Sequence, residues 1–178
     1  MLSIRVFGDN VLRKKATRIQ SIDDDINNLI NDMFLAMYSA EGIGLAAPQI
    51  GRSIRLFITD ISPLVEDSKK EIFINPQIVE YGFEREDYEE GCLSLPTIRE
   101  VVKRPSEIRL QWQDETGKEF DEWVDGYRAR VIQHEYDHLE GKLFIDHIST
   151  LKRSLLKKTL KQITSGEIEV EMSEKFEL

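Results

Sequence analysis

Residues 134–138 of this 178-residue chain read His-Glu-Tyr-Asp-His. On a helix, positions i and i+4 share one face about one turn apart. His134 and His138 can therefore converge on one ion, with Glu135 beside a water bound to it. A bound divalent metal lowers the pKa of water towards about 7, and a carboxylate within hydrogen-bond reach can take and return the proton. That combination is chemistry for hydrolysis. The bland alternative is two histidines at this spacing by chance. The apolar neighbours Val131, Ile132 and Leu139 count against it, because they predict a buried helix in which unpaired imidazoles are costly.

A catalytic metal site needs a third protein ligand and an open position. One candidate is a carboxylate beyond the motif, as in thermolysin-like enzymes. The single cysteine, Cys92, is another: a thiolate with two imidazoles suits Zn²⁺, Fe²⁺ or Co²⁺. A lone Cys is otherwise a small buried hydrophobe. The third histidine, His147, is a further candidate, but Asp146, His147, Ile148 and Ser149 read as the turn before the last helix, which gives it a structural role. One Cys also excludes an intramolecular disulfide and every multi-cysteine zinc site.

The elements that must position these residues follow from periodicity. Ile22, Ile26, Ile30, Met33, Phe34 and Met37 form a helical stripe, with Ser21 as N-cap, three Asp in the first turn and Gly42 as the stop. Ile54, Leu56 and Ile58 alternate as in a strand, and Glu71 to Pro76 reads as another. Ile108, Leu110 and Trp112, the turn Asp114 to Gly117, then Phe120, Trp123 and Val124 predict a hairpin. The motif helix runs from Gly126 to Leu139 and stops at Gly141. A last helix starts near Ser149 and ends before Gly166. No repeat or linker interrupts the chain. The order predicts an α+β fold: antiparallel β-sheets packed around a central metal-binding helix, with an N-terminal and a C-terminal helix.

Lys and Arg number 24 against 33 Asp and Glu, a formal charge of −9. That charge disfavours wrapping of nucleic acid, and no sequence-specific nucleic-acid binding is expected. No stretch approaches 18 apolar residues, and the N-terminus lacks the pattern of a signal peptide. The expectation is a cytoplasmic protein without a membrane span.

Three motifs together resemble the peptide deformylase family. Gly42 to Gln49 reads Gly-Ile-Gly-Leu-Ala-Ala-Pro-Gln, like the family's G-x-G-L-A-A-x-Q. Glu90 to Ser94 reads Glu-Gly-Cys-Leu-Ser, like E-G-C-L-S. Gln133 to Gly141 reads Gln-His-Glu-Tyr-Asp-His-Leu-Glu-Gly, like Q-H-E-x-D-H-L-x-G. The resemblance extends from about Arg5 to about Ser149. It implies a metal-dependent hydrolase that removes the N-formyl group from the initiator methionine of nascent chains and releases formate. It assigns the metal to Cys92, His134 and His138, and the general base and acid to Glu135. The Gln49 amide and the Leu93 backbone N–H would stabilise the oxyanion. Gly44 would bond the substrate backbone as an added strand. Arg99 would lie near substrate; Ile43, Tyr127 and Val131 would wall a methionine pocket, with Glu90 closing one side. The implied metal is Fe²⁺, with Zn²⁺, Ni²⁺ or Co²⁺ able to replace it.

Residues 147–166 carry five basic residues (Lys152, Arg153, Lys157, Lys158 and Lys161) and no acid. With Leu151, Leu155, Leu156 and Leu160 they predict a basic amphipathic helix: a solvated face, or a contact with ribosomal RNA over 151–161. Residues 1–166 are read as a single catalytic domain. Residues 167–178 hold five Glu and one Lys and read as an acidic tail or an edge strand, departing from family members that end at the helix. Two rival functions stand beside deformylation: a zinc peptidase using His-Glu-x-x-His, and a catalytically silent ribosome-binding module.

Overall fold

Strand β2 (Leu56–Thr59) is buried along its whole length, and this sets the layering. Its Leu56 and Ile58 face helix α1 (Asp24–Ser39), packing with Ile30, Met33, Phe34 and Met37. Its Phe57 points the other way, to a second cluster with Phe73, Ile108, Leu110 and Ile132. The computed structural model describes residues 2–173. One five-stranded antiparallel sheet has the order β1 (Gly44–Ala46), β2, β3 (Glu71–Tyr81), β6 (Glu107–Gln113), β7 (Glu119–Asp125). A separate ribbon pairs β4 (Arg85–Cys92) with β5 (Leu95–Pro105). Helix α2 (Gly126–Leu139) packs against β1, β2, β6 and β7. Two short helices follow, α3 (Thr150–Leu155) and α4 (Lys157–Thr164). The expected α+β fold with antiparallel sheets is the observed one.

Local chemistry explains most boundaries. The α1 stripe is buried as expected, but its N-cap is Asp23, not Ser21. The Asp23 carboxylate accepts from the Ile26 N–H at 3.0 Å, satisfying a donor of the first turn. The helix ends at Ser39, before Gly42, whose N–H turns back to the Met37 carbonyl at 2.9 Å. Strand β3 runs past Pro76, because a register shift between Ile74 and Gln77 accommodates the residue that has no N–H. The hairpin β6–β7 pairs without slippage from Glu107↔Asp125 to Gln113↔Glu119. The carboxylate of Asp114 shapes its turn by accepting from the N–H groups of Thr116 and Lys118.

The C-terminal helix is two helices, broken at Leu156. The break re-phases the apolar residues. Leu160 and Ile163 turn into a third cluster with Leu95, Ile98, Val102 and Phe144, whereas Leu151 and Leu155 stay 71% and 75% exposed. The expected single apolar stripe over 151–160 is therefore corrected. Residues 167–173 form no strand; Ile168 packs on the third cluster, and the Ser173 N–H bonds the Ser39 carbonyl at 2.6 Å. The rest of the expected tail, 174–178, lies outside the described residues.

Candidate functional site

Helix α2 presents His134, Glu135 and His138 from its buried side, and the tip of the β4–β5 ribbon brings Cys92 to them. The Cys92 Sγ lies 3.4 Å from His138 Nε2. One atom each from Cys92, His134 and His138 falls within 4.8 Å of the others, and among the described residues no other group of His, Cys, Asp and Glu does so. The two imidazole rings meet edge to face, with centroids 5.2 Å apart. His147, the alternative third ligand, is elsewhere.

The electrostatics favour an anionic thiolate. Burial alone would raise the Cys92 thiol, but the charge of His138 and hydrogen bonds from both imidazoles outweigh it and bring Cys92 down to about 5. Burial works against a charged His134. Its bonds to Cys92 and Glu90 prevail and hold its pKa well above the ordinary value. Burial pushes Glu135 up as well, to about 7. Among the described residues its buried Oε2 has no hydrogen-bond partner, and neither does His138 Nδ1. An unsatisfied buried carboxylate oxygen is costly, so one aimed beside a ligand cluster is a catalytic candidate.

Gln49 sits in the 3₁₀ turn Ala47–Ile50 that follows β1. Its Oε1 accepts from the Ala46 N–H at 2.8 Å. The amide orientation is thereby fixed, and Nε2 must donate toward Ser94 Oγ, at 3.2 Å, and Cys92 Sγ, at 3.5 Å. Gly44 lies across from Glu135. A Cβ there would collide with the Glu135 carboxylate, so only glycine lets β1 pass this close. Gly42 is similarly tight against the Leu93 side chain.

The remaining expected residues divide. Tyr127 and Val131 lie one turn apart on α2, Val131 buried and Tyr127 half-buried beside the Tyr88 ring at 6.0 Å. Ile43 is half-buried, and its carbonyl accepts from the Asp60 N–H at 2.9 Å. Arg99 is exposed, opposite Gly91 in the ribbon. Glu90, expected at the pocket wall, is fully engaged instead. Its Oε1 accepts from Arg104 Nε (2.7 Å) and Arg130 Nη1 (2.8 Å). Its Oε2 accepts from Arg104 Nη2 (3.0 Å) and His134 Nδ1 (2.9 Å). These bonds outweigh burial and hold Glu90 well below the usual carboxylate range. Glu90 therefore orients a histidine of the cluster through Nδ1, so that Nε2 is the ring atom that could ligate a metal. Sequence reasoning missed Arg104, Arg130 and Ser94, whose partners lie far away along the chain.

A partly buried thiol, two imidazoles, an unpartnered carboxylate and a pinned amide make a candidate hydrolytic centre around a candidate metal-ligand cluster. The polypeptide deformylase family model matches residues 1–154. A peptide deformylase of Christiangramia forsetii is 43% identical over 188 residues, covering 99% of this chain and 96% of that protein. One from Pseudothermotoga lettingae is 47% identical over 160 residues, covering 90% of each. Among solved structures, a Legionella pneumophila peptide deformylase superposes with a TM-score of 0.84 at 39% identity, over 94% of this chain and 97% of that one. The chain belongs to the peptide deformylase family, and is a hydrolase. That family is metal-dependent and removes N-formyl groups from nascent chains. No helix among the described residues is long and apolar enough to cross a membrane.

Proposed function

We propose that this chain deformylates the initiator formyl-methionine of nascent polypeptides, with Cys92, His134 and His138 holding one divalent metal. The observation that carries the reading is the convergence of those three ligand atoms beside the unpartnered Glu135. The donor set fits the ion: ligand bonds of about 2.3 Å to sulfur and about 2.0 Å to nitrogen at a tetrahedral angle put the two atoms about 3.5 Å apart, close to the 3.4 Å between Cys92 and His138. Fe²⁺ is the native ion in this reading, and Zn²⁺, Ni²⁺ or Co²⁺ suit the same donors.

When bound, the metal supplies an acidified water near neutral pH. Glu135 accepts the proton of the attacking water at its free Oε2 and delivers it to the departing methionine amine. The Gln49 Nε2, aimed by the Ala46 N–H, and the Leu93 backbone N–H donate to the oxygen of the tetrahedral formyl carbon. A donor of this kind contributes about 3 kcal/mol to the barrier reduction. Gly44 offers backbone groups at the edge of the five-stranded sheet, where the substrate adds as a strand. Ile43, Tyr127 and Val131 receive the methionine side chain, and Arg99 lies on the path of the following residues. Glu90 serves this site by orienting His134.

Mixing metal-loaded protein with formyl-Met-Ala-Ser should release formate. No formate above background would overturn the reading, and cleavage of an internal peptide bond would favour a peptidase. The site of action is the cytoplasm, where formylated chains emerge. Lys157, Lys158 and Lys161 are exposed on α4 and provide the ribosome contact. Changing all three to Glu should abolish co-sedimentation with ribosomes; unchanged co-sedimentation would sink that contact.

A further inference from the structure

Two of the three histidines belong to the ligand cluster; the third lies a few hydrogen bonds away from it. His147 follows a short turn at Phe144–Asp146, and its Nε2 is 2.7 Å from Asp137 Oδ2. The same Oδ2 accepts from Arg104 Nη1 at 2.7 Å. Arg104 Nη1 is also 3.5 Å from His147 Nε2, but a guanidinium cannot accept, so the His147 N–H is directed to Asp137. Arg104 then grips Glu90 with Nε and Nη2, and Glu90 Oε2 takes the His134 N–H. The chain of bonds is continuous from His147 through Asp137, Arg104 and Glu90 to His134.

We propose that His147 is a positioning residue for His134, acting through that chain. The inference rests on the metal reading above. Arg104 is shared between two carboxylates, and both side chains at the Glu90–Arg104 contact are only 5% exposed. His147 is the accessible end, 33% exposed. Without its N–H, Asp137 keeps Arg104 as its one strong donor and draws the guanidinium toward itself. Glu90 Oε1 remains held by Arg130, but among the described residues Oε2 has no donor besides Arg104 and His134. A shift of Arg104 therefore falls on the oxygen that orients His134. Outer partners of metal-binding imidazoles act in this way, and losing one commonly weakens metal affinity by tenfold or more.

The experiment loads wild type, His147→Phe and His147→Gln with one equivalent of Zn²⁺. It follows metal release to a chelating dye, and thermal unfolding of the metal-free proteins. Phe keeps the ring's bulk and removes the donor; Gln keeps a donor. Release should be about tenfold faster from His147→Phe and within about twofold of wild type for His147→Gln. The metal-free melting temperatures should differ little. In a Glu90→Gln background, His147→Phe should accelerate release no further. Wild-type release from His147→Phe, equal acceleration in His147→Gln, or full additivity with Glu90→Gln would each overturn the inference. If Glu90→Gln does not fold, the two single variants decide. A wild type that takes up no Zn²⁺ would overturn the metal reading and this inference with it; a metal-holding wild type matched by His147→Phe overturns this inference alone.

Discussion

Replacing Glu135 by Gln should lower kcat for formate release about a thousandfold while leaving the bound metal at one equivalent. The substitution is nearly isosteric and Glu135 stands outside the three-ligand cluster, so the loss belongs to proton transfer. The pH dependence follows from the same residue. Burial raises the Glu135 carboxyl from an ordinary 4.5 to about 7. Only the ionised form acts as base, so activity is present above its pKa and lost as pH falls through it. A divalent cation beside the carboxylate favours the ionised form. The acid limb of kcat/KM should therefore lie between those two values, and the Gln variant should lack it. Formate assays over a pH series, with metal content measured in parallel, check both statements. Activity of the variant within tenfold of wild type would remove Glu135 from the reaction.

Arg104→Leu should destabilise the fold by about 3–5 kcal/mol, because it removes the centre of a buried charge network and leaves two carboxylates short of donors. For a chain of this length that corresponds to a melting point lower by roughly 10 °C. The pH profile of stability gives a second readout. Arg104 and its neighbours outweigh burial and hold both Glu90 and Asp137 below their ordinary values of 4.5 and 3.8. Such groups contribute stability that is present above those values and is lost as the pH falls below them. Wild type should thus lose stability steeply in acid, and the variant should lose much less over the same range. Thermal unfolding at pH 7 and at about pH 3, below both ordinary values, checks this. A melting point within 2 °C of wild type at pH 7 would show that the network carries little of the fold's stability.

Legibility of the chain tracked the range of its interactions. Helix α2 and the clustering of its two histidines were readable because helical spacing is local: His134 and His138 must share a face wherever the helix lies. The β6–β7 hairpin was readable from its alternation and its Asp-to-Gly turn. The β4–β5 ribbon was not. Its Arg85–Cys92 strand is mostly charged, because much of it faces solvent and its inward Glu90 meets Arg104 and Arg130 in place of an apolar core. Binary patterning has nothing to detect there. The role of Glu90 stayed hidden for the same reason: its partners lie 14, 40 and 44 residues away. The break at Leu156 escaped because the basic stretch remains helical in propensity on both sides. Only the packing of Leu160 and Ile163 against β5 sets the second phase.

The cluster draws its sulfur from the two-stranded ribbon and its nitrogens from α2, at His134 and at His138, the latter 46 residues further on. Neither piece holds a site by itself. In the unfolded chain these donors are separated by a long loop whose closure costs entropy, and the ligand set exists only after ribbon and helix have docked. An ion seated there acts as a cross-link between two separately formed units, and its binding free energy adds to the late docking step in place of secondary-structure formation. Metal capture during refolding should consequently trail the appearance of helical and strand signal, making any ion held there a clock for the last stage of assembly.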